Sequence, residues 1–208
     1  MSHPMGASAA LADRYLTADE LERRMVQAAL RCVERWGLAK TAMDDIAREA
    51  GVSRATVYRV FPGGKDRLVE TVVQLELGRL FHEAASEAER AVTLEDLVCV
   101  GVTIALRTLT GHAALSYMVE HEPGAVLPLF AFHRLEPLLA EVAELSRPHL
   151  RRFIPEAAVR PTAELLTRLV LAYSFGPPSP LDLQDPRSIR RLVRTYVMPA
   201  LTFMQERT

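Results

Sequence analysis

The chain has 208 residues, of which 49% are hydrophobic and 25% charged, and its formal net charge is −1. This composition is typical of a folded globular protein and excludes an intrinsically disordered chain, which combines low hydrophobicity with high charge. No apolar run reaches the roughly 18 residues that suggest a membrane span, and no signal peptide is indicated, so we expect a cytoplasmic protein. Cys32 and Cys99 lie in no CxxC or Cys/His cluster, which argues against a disulfide framework and a structural zinc site.

Residues 1–16 are small and polar without a helical period, and we predict a flexible arm there. The first helix is predicted to begin at Thr17, because Thr17 and Glu20 have the spacing of a capping box. Apolar residues then recur every three or four positions as far as Gly37, which supplies the stop. Cys32 falls on this apolar stripe, and we predict that it is buried.

Two short helices follow, joined by a very short link. The first is predicted to begin at the Thr41 cap and to end at Gly51, and the second to begin after the Ser53 cap and to stop at Pro62. Because only residues 51–53 join them, the two helices must cross steeply, which is the geometry of a helix-turn-helix. The expected inward-facing residues are Met43, Ile46, Ala47, Ala50, Val57 and Phe61.

The rest of the chain also has helical patterns. Four further helices are predicted at about 65–91, 93–110, 161–175 and 185–206. Glycines and prolines divide residues 111–160 into helices whose limits the pattern leaves open, with Pro128 and Pro137 as first-turn residues or kinks. No alternation of β-branched residues indicates a strand. We therefore predict an all-α fold, with a three-helix helix-turn-helix domain over 17–67 and a C-terminal helical domain over 68–208.

The helix after Ser53 has the side chains of a DNA-reading helix. An arginine can bind guanine O6 and N7 with two hydrogen bonds, a methyl group can contact a thymine methyl, and a tyrosine can donate to a phosphate. Thr41 and Lys65 lie at predicted helix N-termini, which attract anions. A role as helix cap alone is the alternative for Thr41 and Ser53. The predicted DNA-binding residues are Thr41, Ser53, Arg54, Ala55, Thr56, Tyr58, Arg59 and Lys65.

Charge is unevenly distributed along the chain. Residues 14–67 contain 11 Lys and Arg against 8 Asp and Glu, although the whole chain is slightly acidic. This modest basic excess permits nucleic-acid binding, and it is equally typical of a mixed, solvated surface.

The run over residues 41–68, TAMDDIAREAGVSRATVYRVFPGGKDRL, closely resembles the DNA-binding segment of the tetracycline-repressor (TetR) family of bacterial regulators. The resemblance extends over about residues 20–70. Val60 departs from it, because members often carry histidine or tyrosine there. The features that carry it are the Ile46-Ala47 pair, the Gly51-Val52-Ser53 turn, the Tyr58…Phe61-Pro62 run and Lys65.

The resemblance implies a homodimeric repressor of the bacterial cytoplasm that binds a palindromic operator in double-stranded DNA. It also implies a small-molecule effector, enclosed by the middle helices, that shifts the spacing of the two reading heads. The last two helices of each subunit would form a four-helix interface, although each of their apolar residues serves equally well as core. The predicted interface residues are Leu165, Leu166, Leu169, Val170, Leu192, Tyr196, Val197 and Leu201.

An effector pocket is predicted among the middle helices, with an apolar or amphipathic ligand, because its candidate lining residues carry almost no fixed charge. Ordinary core packing is the alternative for each of them. Glu120, His121 and Glu122 point apart on a helix and so predict solvated charge rather than a metal site; no cofactor is predicted. The candidate lining residues are Leu106, Tyr117, Met118, Phe130, Phe132, His133 and Tyr173, with His112, His121 or His133 as a polar handle.

Two other function classes compete with this prediction. An enzyme is disfavoured because the sequence contains no GxSxG, HExxH, GxGxxG or GxxxxGK[ST] motif. The second alternative is a helical dimerisation module in which the helix-turn-helix is only scaffold.

Overall fold

The computed structural model describes residues 15–126, 132–176 and 181–206, and these residues contain helices, turns and loops without a strand. The predicted all-α class is therefore confirmed. Of the predicted arm, Tyr15 and Leu16 are helical and the remainder lies outside the described residues. No single helix in this part of the chain combines the length and apolar composition needed to span a membrane. The bent pair of helices Leu94–Thr110 and Ala113–His121 meets both criteria together, by length and composition alone.

The helices are numbered in chain order. They are α1 (Glu20–Lys40), α2 (Met43–Ala50), α3 (Arg54–Val60), α4 (Gly64–Ala88), α5 (Leu94–Thr110), α6 (Ala113–His121), α7 (Pro123–Val126), α8 (Phe132–Leu150), α9 (Glu156–Phe175), α10 (Pro186–Leu192), a π-helical turn (Val193–Val197) and α11 (Met198–Glu206).

The described residues form two compact units. The first comprises residues 15–79 and 111–126, and the second comprises 80–110, 132–176 and 181–206. The domain boundary predicted after residue 67 falls inside α4, and it stays a prediction. Helix α6, which the sequence assigned to the C-terminal domain, packs along α1 in the first unit.

An apolar core fixes the helices of the first unit. Met25, Ile46, Val57 and Phe61 are at most 1% exposed, and burial of each such side chain stabilises the fold by about 1.5–3 kcal/mol. Cys32 is fully buried, as predicted, and burial raises the pKa of its thiol. The predicted inward-facing set is confirmed in full, since all of its members are buried: Met43, Ile46, Ala47, Ala50, Val57 and Phe61.

The N-cap of helix α1 lies two residues later than the sequence predicted, at Asp19 instead of Thr17. The Oδ1 of Asp19 accepts a hydrogen bond from Glu22 N at 2.6 Å, and the helix starts at Glu20. Thr17 instead belongs to a helical turn at residues 15–17. A carboxylate at a helix N-terminus is favoured both as a cap and by the helix dipole, which explains why Asp19 prevails over Thr17.

The second unit is organised around α5, α9 and the C-terminal helix, which consists of α10, the π-helical turn and α11. Leu106, Val159, Val193, Val197 and Leu201 are at most 1% exposed and belong to one apolar cluster. These five side chains, contributed by four elements of the unit, hold its helices together.

Helix α9 begins at Glu156, whereas the sequence predicted a start near Pro161. Pro155 takes the N-cap position with a ψ of 152°, and Pro161 lies inside the helix. Proline is common at helix starts, so two prolines six residues apart offered two starting points, and the sequence pattern favoured the wrong one.

The C-terminal helix has its predicted extent but is interrupted by a π-helical turn. Asp185 caps its start by accepting from Arg187 N at 2.9 Å. Pro199 has no N–H to donate to the carbonyl of Thr195, and in the preceding turn the N–H of Met198 bonds instead to the carbonyl of Val193. The wider turn lets the helix continue through the proline.

Candidate nucleic-acid interface

The turn between α2 and α3 is built by two local signals. Gly51 ends α2 with a φ of 66°, in the left-handed region that glycine adopts without strain, and its N–H bonds to the carbonyls of Ala47 and Arg48. Ser53 then caps α3, since its Oγ accepts from Thr56 N at 3.1 Å. Val57 anchors α3 in the core, so the opposite face of this helix is turned to solvent. The predicted helix stop at Gly51 and the predicted cap at Ser53 are therefore both present.

The exposed face of α3 carries the predicted DNA-reading side chains. Arg54, Ala55, Tyr58 and Arg59 are exposed, and Thr56 is half-buried. Among the described residues Arg59 forms no ion pair or hydrogen bond. This face therefore presents two guanidinium groups, a phenol and small apolar groups side by side.

Arg54 is held by a residue that the sequence did not single out. Its Nη1 lies 3.0 Å from Asp44 Oδ2 on α2, and its guanidinium lies 5.4 Å from the ring centroid of Tyr58. Both partners of the ion pair are more than half exposed, and such pairs contribute only about 0–1 kcal/mol. A phosphate or a guanine can therefore replace Asp44 at little cost.

Thr41 is placed differently from the prediction. It is 3% exposed, and its hydroxyl donates to the carbonyl of Gly37 at 2.7 Å. The N-cap of α2 is Ala42, whose N–H bonds to Asp45 Oδ2 at 3.1 Å, so the predicted Thr41 cap is wrong by one residue. The hydroxyl of Thr41 closes the end of α1 rather than opening α2.

Lys65 lies in the first turn of α4, as predicted, but its ammonium points at the end of α1. The Nζ donates to the carbonyl of Leu38 and, at 3.5 Å, to that of Ala39. Carbonyls at the end of a helix lack partners within it, and a cation satisfies them well.

The N–H groups of the same segment are bound by Glu122, directly after α6. Gly37 breaks α1 with a φ of 81°, and the following N–H groups need an acceptor. Glu122 Oε2 accepts from Leu38 N at 2.8 Å, and Glu122 Oε1 accepts from Ala39 N at 3.1 Å. A Cβ at position 37 would approach Glu122 Cδ to 2.9 Å, so only glycine suits this position. The prediction of solvated charge at Glu122 is wrong, because its carboxylate is half-buried and bound.

The predicted effector-pocket residues fall in both units. Leu106 is fully buried in the second unit, and Tyr173 packs against the same core. Tyr117 and Met118 lie half-buried on α6 in the first unit, where the ring of Tyr117 stacks on His121 with centroids 4.4 Å apart. Phe130 and the side chains of Phe132 and His133 lie outside the described residues.

The third polar handle, His112, serves as the N-cap of α6. Its Nδ1 accepts from Leu115 N at 3.2 Å, so the ring proton of the neutral form lies on Nε2. Nε2 is 3.7 Å from Glu76 Oε2 on α4. The histidine therefore has a structural role at the start of α6.

The predicted dimer-interface residues divide into two groups. Leu165 and Tyr196 are 41% and 72% exposed, and Tyr196 lies in the π-helical turn. The remaining six contribute to the interior of the second unit: Leu166, Leu169, Val170, Leu192, Val197 and Leu201.

Comparison with known proteins identifies the segment that contains α2 and α3. Residues 26–72 match the model of the bacterial regulatory proteins of the tetR family. The HTH-type transcriptional regulator BetI of Rhizobium meliloti (strain 1021) is 32% identical over 85 residues, which are 41% of this chain and 41% of that protein. The match thus spans less than half the length of this curated relative.

Solved structures resemble this chain over most of its length. The TetR-family repressor AlkX of Dietzia sp. strain DQ12-45-1b, implicated in biodegradation of n-alkanes, has a TM-score of 0.66 at 20% identity, over 88% of this chain and 98% of that one. The regulator FadR of Bacillus subtilis, in complex with stearoyl-CoA, has a TM-score of 0.62 at 14% identity, over 84% and 98%. These likenesses show a shared fold.

Proposed function

We propose that this chain, whose residues 26–72 match the model of the tetR family of bacterial regulatory proteins, is a sequence-specific, DNA-binding transcriptional regulator of that family. One observation carries the proposal: the exposed face of α3 presents Arg54, Tyr58 and Arg59, while Val57 anchors the helix in the core. The second helix of a helix-turn-helix enters the major groove and reads base edges from its N-terminal residues. The relatives are regulators, and the enzyme class is set aside on that ground.

Each polar side chain of this face has a distinct role in the proposal. Arg59, which has no partner among the described residues, reads a guanine through O6 and N7. Arg54 exchanges Asp44 for a base or a phosphate, and Tyr58 donates to the backbone. Ala55 and the Thr56 methyl contact a thymine methyl.

The regulator is a homodimer in this proposal, acting in the bacterial cytoplasm on a palindromic operator. Three large apolar side chains of α9 and the C-terminal helix are exposed in the single chain: Leu165 at 41%, Tyr196 at 72% and Phe203 at 56%. In this proposal the three side chains belong to one association face, since contiguous exposed apolar surface marks protein–protein interaction sites. A two-fold dimer presents two α3 helices and therefore requires a two-fold symmetric site.

An apolar or amphipathic effector releases the DNA in this proposal. A ligand shifts the equilibrium only if it binds the released state more tightly than the DNA-competent state. Support comes from the sequence, in which the candidate residues are almost uncharged, and from the B. subtilis FadR structure, which contains stearoyl-CoA. The repressor role is part of the same proposal.

Selection of binding sites from a random duplex pool, at near-physiological salt, tests the proposed function. We expect a two-fold symmetric site with half-sites about one helical turn apart. Recovery of no preferred site by folded, dimeric protein would contradict the proposal. Stearoyl-CoA is then the first effector probe, with free coenzyme A as its matched control; release by small polyanions alone would contradict the apolar effector.

A further inference from the structure

The segment that follows Gly37 is bound from both sides by opposite charges. Gly37 interrupts the helix, so the N–H groups of Leu38 and Ala39 lack the partners they would have inside a continuous helix. Their carbonyls also lie at the end of α1. The Glu122 carboxylate takes both N–H groups and the Lys65 ammonium takes both carbonyls.

The two ions come from distant parts of the chain. Glu122 follows α6 and is 84 residues from Leu38, whereas Lys65 stands in the first turn of α4, shortly after α3. Both act on the peptide group that joins Leu38 to Ala39, since Lys65 binds its carbonyl and Glu122 binds its N–H. Hydrogen bonds to charged groups are stronger than neutral ones, so each ion restrains the peptide plane on which the other acts.

Helix α6 is also attached at its other end. His112 caps its start and faces Glu76 of α4 at 3.7 Å. Helix α6 thus packs along α1, with Glu122 bound to the end of α1 and the His112 ring close to one carboxylate of α4.

We propose that Glu122 is a positioning residue for DNA binding: it fixes Leu38 and Ala39 so that their carbonyls hold Lys65 toward the DNA backbone. An ammonium has three donors, and two carbonyls leave the third for a phosphate. This inference rests on the proposed DNA-binding function. It goes beyond the α3 contacts because it assigns a role to an acidic residue outside α3, which acts on DNA binding through Lys65.

The direction in which DNA affinity changes when the Glu122 charge is removed distinguishes a positioning role from simple electrostatics. Removal of a carboxylate makes the protein more positive, which by itself strengthens binding to DNA. If Glu122 positions Lys65, its neutralisation weakens binding instead, because Lys65 loses its fixed direction.

The experiment uses the full-length protein and the duplex recovered by selection, with binding measured by fluorescence anisotropy over a series of salt concentrations. We compare wild type with Glu122→Gln, and with Glu120→Gln as the matched control, since Glu120 is exposed two residues away. Expected results are about tenfold weaker binding and a flatter salt dependence for Glu122→Gln, and unchanged or tighter binding for Glu120→Gln.

A double-mutant cycle with Lys65→Met identifies the route of the effect. In the Lys65→Met background, Glu122→Gln should cost little further affinity, because both changes remove the same phosphate contact. Glu122→Asp keeps the charge but is one methylene shorter, and we expect an intermediate loss. This variant decides the question if Glu122→Gln does not fold by circular dichroism.

The outcomes separate the two proposals. If wild type selects no site, the proposed function fails and this inference fails with it. If wild type binds its site and the folded Glu122 variants bind equally well with the same salt dependence, this inference alone is overturned. Equal losses from Glu122→Gln with and without Lys65 would also overturn it, since the effect would then not pass through Lys65.

Discussion

Arg54 at the start of α3 donates a hydrogen bond to the carboxylate of Asp44 on α2 at 3.0 Å. The first arginine of the exposed face is therefore already paired with an acidic side chain. We expect Asp44→Asn to tighten binding to DNA of any sequence by a few-fold at low salt, because the exposed pair is worth only about 0–1 kcal/mol and competes with phosphate. Anisotropy titrations measure this, with Glu34→Gln as the control for charge alone. Weaker binding to the selected site would show instead that Asp44 orients Arg54 for its base.

Arg59 is expected to read one base pair. Arg59→Ala should cost about 1–3 kcal/mol on the selected site and relax the preference at a single position, because one bidentate contact is lost. Binding to every single-base variant of the site measures this. Arg24→Ala, which removes an exposed arginine of α1, is the control. A uniform loss over all site variants would assign Arg59 to the phosphate backbone.

Tyr196 and Leu201 lie five residues apart but should respond in opposite ways to substitution. Tyr196 is 72% exposed, and Tyr196→Arg should shift the protein toward monomer while each chain stays folded, which sedimentation velocity and circular dichroism measure together. Leu201 is 1% exposed, and Leu201→Ala should lower the free energy of unfolding by about 2–5 kcal/mol. A Tyr196→Arg protein that remains dimeric would contradict the proposed association face.

Glu95 and Asp96 make the second unit sensitive to acid. Hydrogen bonds from Arg194 lower the pKa of Glu95, and hydrogen bonds from Thr93, then Arg190, lower the pKa of Asp96. A carboxyl whose pKa is lowered by folding stabilises the native state above its unfolded-state pKa, and this contribution is lost as the pH falls through the lowered value.

Urea unfolding at a series of acidic pH values should therefore show a loss of stability that is smaller in Glu95→Gln than in wild type. The matched control is Glu120→Gln, an exposed carboxylate without a recorded partner among the described residues. Identical pH dependence in wild type and Glu95→Gln would refute the role of this cluster.

Local signals in the sequence were sufficient for the helix-turn-helix. The Gly51 stop, the Ser53 cap and the Val57 and Phe61 spacing each depend on neighbours within a few residues, and all are present in the structure. Errors at helix ends arose where two residues of similar capping ability compete, as for Thr17 and Asp19.

Long-range contacts could not be predicted in the same way. Gly37 predicted the stop of the first helix, but nothing in the sequence indicated that Glu122, 84 residues from Leu38, would accept the hydrogen bonds of the N–H groups that follow it. Apolar periodicity likewise does not distinguish buried from exposed positions on α9, where Leu165 is exposed and Val170 is buried. A wide apolar stripe on a helix can face either a core or an interface.

The most direct test of the central claim compares wild type with Arg54→Ala/Arg59→Ala on the duplex recovered by selection. If α3 reads DNA, the double variant should fold and associate like wild type yet lose at least about a hundredfold in affinity for that site. If the folded double variant binds as tightly as wild type, the helix-turn-helix is only scaffold, and the proposed mode of DNA recognition is wrong.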